Sequence, residues 1–250
     1  MSDYLLVAGI GLGGWSWGQT WGYMTAPDEH PPKLYQQRPV GKVVCINLAG
    51  QTEKDADPSM TQHDAVSAIT AAVKNNNLRD VVLVGHDVAA SLVLKSAMDI
   101  EGSPKRVVLV GGVIPSENRS PLSLMPWSLR LVISFRSALK AYASKGLKLP
   151  KHVISNVLCS GMEVEDVIHA LGHYQSVPID MVTGKVTLGG VEVPCPISYV
   201  VLTQNKLFPE ILQRRMARRL GQVEVEDLES CQAVMLHKPR QLADILLRYA

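Results

Sequence analysis

The sequence predicts an α/β fold with a doubly wound, mostly parallel sheet, and two observations carry that prediction. Short apolar runs have the length and composition of buried strands; these runs are residues 5–8, 43–46, 81–84, 107–110 and 197–202. Longer stretches with helical periodicity fall between or after the runs; these stretches are residues 60–75, 89–99, 209–220 and 239–248. Strands that alternate with helices in this way indicate parallel strands joined by helical crossovers.

Each predicted element ends in a way that suits this fold. The first strand leads into a glycine-rich loop at residues 9–14, and the third leads through a sharp turn into a helix. Three asparagines at residues 75–77 end the first helix, and Gly221 directly follows the third. Glycine and asparagine tolerate the left-handed backbone that commonly ends a helix.

Residues 116–190 interrupt the alternation and are predicted to form a helical lid. The flanking residues, 1–115 and 191–250, are then expected to form one core. The inserted segment contains several prolines and two helical patterns, at residues 124–142 and 164–171. An insertion between the middle and late strands is the place where a fold of this type carries a lid.

The first half of the predicted lid is strongly basic. Residues 118–162 contain no Asp or Glu. Their Lys and Arg residues are Arg119, Arg130, Arg136, Lys140, Lys145, Lys148 and Lys151. Such a face is either simply solvated, or it attracts an anionic substrate group or an acidic acyl carrier protein.

Composition and charge exclude several classes of protein. The chain has 250 residues, of which 46% are hydrophobic and 19% charged, and its formal net charge is +2. It can therefore bury a sizeable core, and its whole-chain charge predicts no nucleic-acid or membrane partner. The amino-terminal residues lack the basic region of a secretory signal, and the four cysteines lack metal-ligand spacing. We expect a cytoplasmic protein with reduced thiols and without a metal or cofactor; homodimer formation is left open.

Three segments in order carry a resemblance to a known family. Residues 6–15 are similar to the motif V-H-G-x-x-x-G-G-W, residues 199–216 to Y-I-x-T-x-x-D-x-x-x-P-x-x-Q-x-x-M, and residues 230–243 to S-G-H-S-P-x-L-S-x-P-x-x-L-A. The strand and turn at residues 81–90 have the context of the nucleophile elbow G-x-S-x-G. The whole chain thus resembles an α/β-hydrolase of the short-lid esterase and hydroxynitrile-lyase-like branch.

The same resemblance implies an altered catalytic triad. The elbow reads G-H-D-V-A, so that Asp87 stands at the nucleophile position. Asn205 stands at the acid position, and Gln232 stands at the histidine position in the register set by Pro239. A serine hydrolase needs a nucleophile, a base to take its proton and an acid to orient that base. Serine-esterase chemistry is therefore excluded.

Asp87 allows three interpretations. As a nucleophile it would form an ester with the substrate, as in epoxide hydrolases and haloalkane dehalogenases, whose elbows also read G-H-D; a histidine-activated water would then cleave the ester. His237 is the nearest histidine for that step, about five positions too late in this register. As a general acid or base it would move a proton without hydrolysis. As an inert residue it would belong to a non-catalytic binding protein.

The leading hypothesis is the acid or base. It predicts a cofactor-free tailoring enzyme of secondary metabolism that cyclises, isomerises, dehydrates or eliminates from a small, mainly apolar, polyketide-like substrate. Asp87 is the predicted catalytic residue, and His173 from the second lid helix is the candidate proton donor. The amides of Ile10 and Val88 fall where the family builds its oxyanion hole.

Further residues are predicted to contact the substrate. They are Trp15, Trp17, His86, Tyr174, Asn205 and Gln232. Packing is an equally simple interpretation of the two tryptophans, and it is the favoured interpretation of His86. The glycine-rich loop at residues 9–14 resembles a dinucleotide motif only superficially, because no helix with a following acidic residue opens at its end.

Overall fold

A computed structural model of the protein describes residues 1–26, 40–52, 56–138, 146–185, 187–188 and 193–250, with residues 136–138 described by their backbone alone. Its strands are β1 (Tyr4–Val7), β2 (Val43–Ile46), β3 (Val82–His86), β4 (Arg106–Val110), β5 (Ile197–Leu202) and β6 (Val223–Leu228). They form one sheet in the order β2-β1-β3-β4-β5-β6, and every pairing is parallel. The predicted doubly wound parallel sheet is confirmed.

Helices connect the strands. They are α1 (Gly18–Thr25), α2 (Gln62–Asn75), α3 (Ala89–Asp99), α4 (Trp127–Ala138), α5 (Lys151–Val153), α6 (Val164–His173), α7 (Asp180–Thr183), α8 (Glu210–Arg218), α9 (Val234–His237) and α10 (Pro239–Leu247). Short 3-10 segments cover Gly14–Trp17 and Pro121–Leu124, and a π-helical turn covers Ile154–Leu158. Within the described part of the chain, no helix is long and apolar enough to cross a bilayer.

One strand was missing from the sequence prediction. β6 pairs with β5 at the edge of the sheet and reads V-E-V-E-D-L. Glu224 and Asp227 are exposed there, because an edge strand has one side open to water. Because its sequence alternates with acidic residues, β6 does not form an apolar run and was not predicted.

The predicted lid helix at residues 124–142 begins later in the structure. A 3-10 turn ends at Leu124, and α4 begins only at Trp127. Met125 has the extended angles φ −74° and ψ 157°, since proline at the next position disfavours helical geometry. Residues 139–142, and the predicted boundary at residues 190 and 191, lie outside the described residues.

The sheet has a topological switch point between β1 and β3. β1 pairs with β2 on one side and with β3 on the other, so successive connections leave in opposite directions. Val7 and Gly85 are partners near the carboxyl ends of these two strands. In open α/β sheets the crevice at such a point is the usual place for a ligand.

The chain that follows α6 crosses this edge of the sheet. The Gln175 amide donates to the Gly11 carbonyl at 2.8 Å. Ser176 and Val177 make isolated antiparallel bridges to Thr52 and Leu147. These contacts bring Tyr174 down onto the glycine-rich loop after β1.

Candidate active site

Asp87 occupies the sharp turn between β3 and α3. Its φ of +55° is in the left-handed region, which a residue with a side chain adopts only where its surroundings enforce it. Here the Asp87 amide donates to the Val110 carbonyl at 3.2 Å, and its carbonyl accepts from the amides of Ala90 at 3.1 Å and Val113 at 2.9 Å. These bonds fix the turn and direct the side chain toward the loop that follows β1.

One oxygen of the Asp87 carboxyl is held by a backbone amide. Oδ2 accepts a hydrogen bond from the Ile10 amide at 3.0 Å, and the Val88 amide, like that of Ile10, lowers the pKa of this carboxyl. The sequence predicted that both amides belong to an oxyanion hole for the substrate. In the structure the protein's own carboxyl accepts from the Ile10 amide, because an aspartate side chain extends one bond further than serine.

The other carboxyl oxygen has no partner. Oδ1 of Asp87 is buried and accepts no hydrogen bond, and the residue is only 3% exposed. Burial raises the pKa of this carboxyl to about 7, although the amides of Ile10 and Val88 lower it. Burial acts in this direction because desolvation disfavours the charged form. Near neutral pH the group can therefore either donate or accept a proton.

Two glycines make room for the side chains of the site. A Cβ on Gly9 would lie 2.3 Å from the Asp87 Cβ and 2.7 Å from its Oδ2. A Cβ on Gly11, whose φ is +71°, would lie 2.0 Å from the Tyr174 Cζ. Asp87 and Tyr174 thus pack on the two residues that flank Ile10 in one loop. At these two positions the glycine-rich loop therefore accommodates the protein's own side chains.

Tyr174, predicted to bind the substrate, contributes a second unpartnered polar atom. Its hydroxyl is buried and forms no hydrogen bond. Burial, followed by the charges of Asp87 and Cys159, raises the pKa of Tyr174 well above its usual value. The hydroxyl therefore stays protonated, and it is a buried donor without an acceptor.

Asn205 and Gln232 are brought together, as their alignment with a triad acid and base predicts. The Asn205 Nδ2 donates to the Gln232 Oε1, while the Asn205 Oδ1 accepts from the amides of Leu207 at 2.9 Å and Phe208 at 3.1 Å. The Gln232 Nε2 is buried without a partner. Both side chains are neutral amides, so this pair can hydrogen-bond a ligand but cannot take a proton from water.

His86 is a packing residue, which is the interpretation that the sequence favoured over contact with the substrate. It is fully buried. Its Nε2 lies 2.8 Å from the Gln232 carbonyl, and its Nδ1 accepts a 3.4 Å bond from the Gly9 amide. Burial lowers the pKa of His86 to about 4, so the ring is neutral. Both ring nitrogens are engaged within the protein, which leaves none for a ligand.

The predicted proton donor His173 is exposed. Its Nδ1 lies 3.0 Å from the His169 carbonyl, and its ring packs against Trp15 with a centroid separation of 5.3 Å. Trp15 is partly buried, whereas Trp17 is fully buried in the core. The structure thus gives His173 a position at the surface, whereas Tyr174, its neighbour in sequence, is buried and has its pKa raised in part by the charge of Asp87.

Among the residues that the structure describes, no other histidine takes the place of the missing base. Within the described ranges, no histidine hydrogen-bonds to the Asp87 carboxyl. The His237 Nδ1 lies 3.1 Å from the Ser230 hydroxyl and accepts from the Cys231 amide at 3.3 Å. The described residues also contain no group of three or more His, Cys, Asp or Glu that could hold a metal ion.

Sequence reasoning missed Tyr199. This buried residue of β5 donates its hydroxyl to the Gly112 carbonyl at 2.5 Å. Burial and the charge of Asp87 raise the pKa of Tyr199, which places it in the electrostatic environment of the site. The strand of Tyr199 was predicted. An aromatic residue inside an apolar run is typical of the hydrophobic core, so no signal in the sequence distinguishes Tyr199 from a packing residue.

A surface cavity of about 1170 Å³ lies elsewhere, near the start of β5 and β6. Arg106, Glu117 and Glu224 are among its lining residues. None of the candidate site residues lines it. The candidate active site therefore consists of the buried groups around Asp87, and this cavity is not part of it.

Comparison with known proteins agrees with this architecture. A sequence profile described as the alpha/beta hydrolase family matches residues 4–245. No curated protein matches the chain by sequence. An extracellular alpha/beta-hydrolase from a Paenibacillus species, described as sharing structural and functional homology with tobacco salicylic acid binding protein 2, superimposes with a TM-score of 0.80 at 15% identity, covering 100% of this chain and 99% of that one.

Two plant proteins share the fold as well. A methylesterase from Arabidopsis has a TM-score of 0.71 at 15% identity and covers 99% of this chain and 98% of its own. A variant of tomato methylketone synthase I, in complex with β-ketoheptanoate, has a TM-score of 0.68 at 16% identity and covers 100% of this chain and 99% of its own. At these identities the similarity establishes the fold and leaves the reaction to be argued from the site.

Proposed function

The chain belongs to the α/β hydrolase family, and from that premise we propose that it is a cofactor-free, non-hydrolytic enzyme in which Asp87 acts as general acid or base. The reaction class is cyclisation, isomerisation, elimination or dehydration of a small, mainly apolar metabolite. The observation that carries this proposal is the Asp87 Oδ1, a buried oxygen without a hydrogen-bond partner on a carboxyl with a pKa of about 7. A group whose pKa lies near the working pH is suited to moving protons.

The residues at the acid and base positions of a triad favour proton transfer over hydrolysis. Asn205 and Gln232 are neutral amides bonded to each other, so neither can activate water in the way a histidine does. Asp87 is then the one titratable group of the three triad positions. A reaction that needs a single proton to be removed or delivered suits such a site better than one that needs an activated water.

Two hydrogen-bond donors without acceptors indicate that the substrate carries an acceptor group. The Tyr174 hydroxyl and the Gln232 Nε2 are both buried and unpartnered. Buried donors are rarely left unpaired in a working complex, so we propose that a substrate carbonyl or enol oxygen accepts from one or both. A carbonyl also acidifies the neighbouring C–H bonds that Asp87 would deprotonate. The tomato neighbour was crystallised with a small β-keto acid, which supports an oxygenated acyl chain; polyketide-like tailoring is the setting we propose.

The test is a proton-abstraction probe. The ring opening of nitrobenzisoxazole needs only a base in an apolar site, and it releases a coloured phenolate. We expect the wild-type protein to accelerate it, and Asp87→Asn to lose that acceleration by roughly a hundredfold or more. The rate should rise with pH through about pH 7, because the base is the ionised form of a carboxyl with that pKa. Equal rates for the two proteins, or a profile without this rise, would overturn the proposal.

A second candidate is an aspartyl ester. Its support is the geometry of the carboxyl, in which Oδ1 is free while the Ile10 amide holds Oδ2. Oδ1 could attack a saturated carbon, forming a C–O bond while a halide or epoxide oxygen leaves with the bonding pair. Water attack on the ester would place negative charge on Oδ2, which accepts from the Ile10 amide, but the base position holds Gln232. Intact mass spectrometry after exposure to an epoxide would reveal a lasting adduct, which Asp87→Asn should lack.

The cytoplasm is the compartment we propose. All four cysteines are free, and Cys159 and Cys231 are buried. Free thiols are typical of proteins kept in a reducing compartment. Fractionation of cells that express the full chain tests this, and recovery in the medium would contradict it.

A further inference from the structure

Two histidines lie one helical turn apart near the end of α6. His169 and His173 are both exposed, and their ring centroids are 4.4 Å apart with an interplanar angle of 41°. Residues four apart lie on the same face of an α-helix, so both rings project from one face of α6. Two imidazoles at this helical spacing can coordinate a single metal ion together.

The hydrogen bond of His173 decides which of its ring nitrogens can bind a metal. Nδ1 of His173 lies 3.0 Å from the His169 carbonyl. A carbonyl oxygen only accepts, so Nδ1 carries the proton and donates it to this bond. The other nitrogen, Nε2, then holds a lone pair. Metal-binding histidines commonly donate their second ring nitrogen to a backbone carbonyl in this way, so His173 has the tautomer of a metal ligand.

Trp15 packs against both imidazoles. The centroid of its ring lies 5.4 Å from that of His169, at an interplanar angle of 75°, and 5.3 Å from that of His173, at 42°. Trp15 is partly buried, so the two exposed rings rest on a side chain that the fold anchors. This contact restricts the rotamers of both histidines, which lowers the entropic cost of holding a ligand between them.

We propose that His169 and His173 together bind one divalent transition-metal ion, with water at its remaining coordination positions. Imidazole nitrogen suits Cu²⁺, Ni²⁺ and Zn²⁺, whereas Mg²⁺ and Ca²⁺ prefer oxygen ligands. The sequence predicted no metal because its cysteines lack ligand spacing, and this donor set consists of histidines alone. Ala170 stands where the motif H-E-x-x-H has its catalytic glutamate, so the site binds an ion without the general base of a metalloprotease.

A bound ion would stabilise the last turn of α6. Gly172 lies between the two histidines in sequence, and glycine weakens the interior of a helix. The ion would join the two side chains across this weak point and would bind only the folded helix, which stabilises the folded state. Tyr174 directly follows this turn as the C-cap of the helix.

The experiment is a metal titration of the full chain, purified without a histidine tag. Calorimetry with Cu²⁺, Ni²⁺ and Zn²⁺ should report one ion per chain, and Cu²⁺ should bind most tightly of the three. Cu²⁺ and Ni²⁺ should quench the fluorescence of Trp15, because its ring contacts both ligands. Saturating Zn²⁺ should raise the melting temperature, and Mg²⁺ should have no effect in any of these measurements.

Two substitutions separate metal coordination from ring packing. His169→Phe and His173→Phe each keep an aromatic ring beside Trp15 but remove the nitrogen ligand, so each should weaken metal binding by roughly tenfold or more. His63→Phe is the matched control, because His63 is exposed on α2 and has no second histidine four residues away; its affinity should equal that of the wild type. Trp15→Phe should remove the quenching while calorimetry still detects the ion.

Several results would overturn the proposal. They are the absence of binding by all three ions, equal affinity in the wild type and the two α6 variants, and an equal loss in His63→Phe. One ion bound per two chains would also overturn it, because each histidine would then serve a different molecule. All the substituted histidines are exposed, and circular dichroism should show an unchanged fold. None of these measurements depends on a reaction at Asp87, so failure of the proposed function would leave this test intact.

Discussion

The Asp87 carboxyl accepts a hydrogen bond at 3.0 Å from the Ile10 amide, an amide that the resemblance to hydrolases assigns to an oxyanion hole. One carboxyl oxygen is fixed by the backbone while the other, also buried, has no partner. The turn that carries a serine in hydrolases carries a carboxyl here, and the two oxygens of that carboxyl have different surroundings. Substitutions around this carboxyl can separate its effect on the stability of the fold from its effect on activity.

Asp87 should make the stability of the protein depend on pH. Its pKa is raised from 3.8 to about 7 in the folded protein, so between these values the folded state binds more protons than the unfolded state. Stability is then highest below the unfolded pKa and falls as pH rises through about pH 7, by roughly 4 kcal/mol at most. We expect Asp87→Asn to lose most of this decline, measured as the free energy of urea unfolding at about pH 5 and about pH 8. An equally steep decline in the variant would contradict the assignment.

Gly9 should not tolerate a side chain. A Cβ there would lie 2.3 Å from the Asp87 Cβ, and overpacking of this kind costs roughly 1–3 kcal/mol. We expect Gly9→Ala to lower the urea midpoint and to abolish the activity that depends on Asp87. Gly22→Ala is the control, because a Cβ at that position of α1 meets nothing within 4 Å; it should stabilise the protein by about 0.5–1 kcal/mol. Similar effects from both substitutions would refute the role of Gly9.

Two tyrosines should respond oppositely to loss of the hydroxyl. Tyr174→Phe removes a buried hydroxyl without a partner, so we expect stability to rise by about 1–3 kcal/mol while activity falls. Tyr199→Phe deletes a 2.5 Å bond to the Gly112 carbonyl and leaves that acceptor unpaired, so stability should fall by a similar amount. Thermal unfolding and the nitrobenzisoxazole rate measure the two effects. A stabilised Tyr174→Phe variant with full activity would remove Tyr174 from the mechanism.

Restoring a base should convert the site. Gln232 is bonded to Asn205 where a triad would have histidine and aspartate. We expect Gln232→His combined with Asn205→Asp to gain hydrolysis of an epoxide or haloalkane through an Asp87 ester, because the new histidine can activate water. Gln232→His alone should gain less, since it lacks the orienting carboxylate. Incorporation of labelled water oxygen into Asp87 reports the ester route, and adding Asp87→Asn must abolish it.

The fold could be predicted because its signals are local. β2, β5 and α3 were located at their exact ends, since apolar runs and helical periodicity are properties of neighbouring residues. β6 was not, because an edge strand exposes acidic side chains. The resemblance to hydrolase motifs placed Asn205 and Gln232 at paired positions, and the structure joins them.

The order of residues was thus enough to predict a parallel α/β sheet, an aspartate at the turn after β3, and amides at the two positions that the resemblance to hydrolases assigns to the rest of a triad. It could not establish which groups meet that aspartate. Tyr174 comes into place only because the Gln175 amide bonds to the Gly11 carbonyl, and His173, one residue earlier, faces solvent. Three features of Asp87 depend on burial: its hydrogen bond from the Ile10 amide, its unpartnered Oδ1 and its raised pKa. Burial is set by contacts between segments far apart in sequence, whereas strands and helices are set by residues close together.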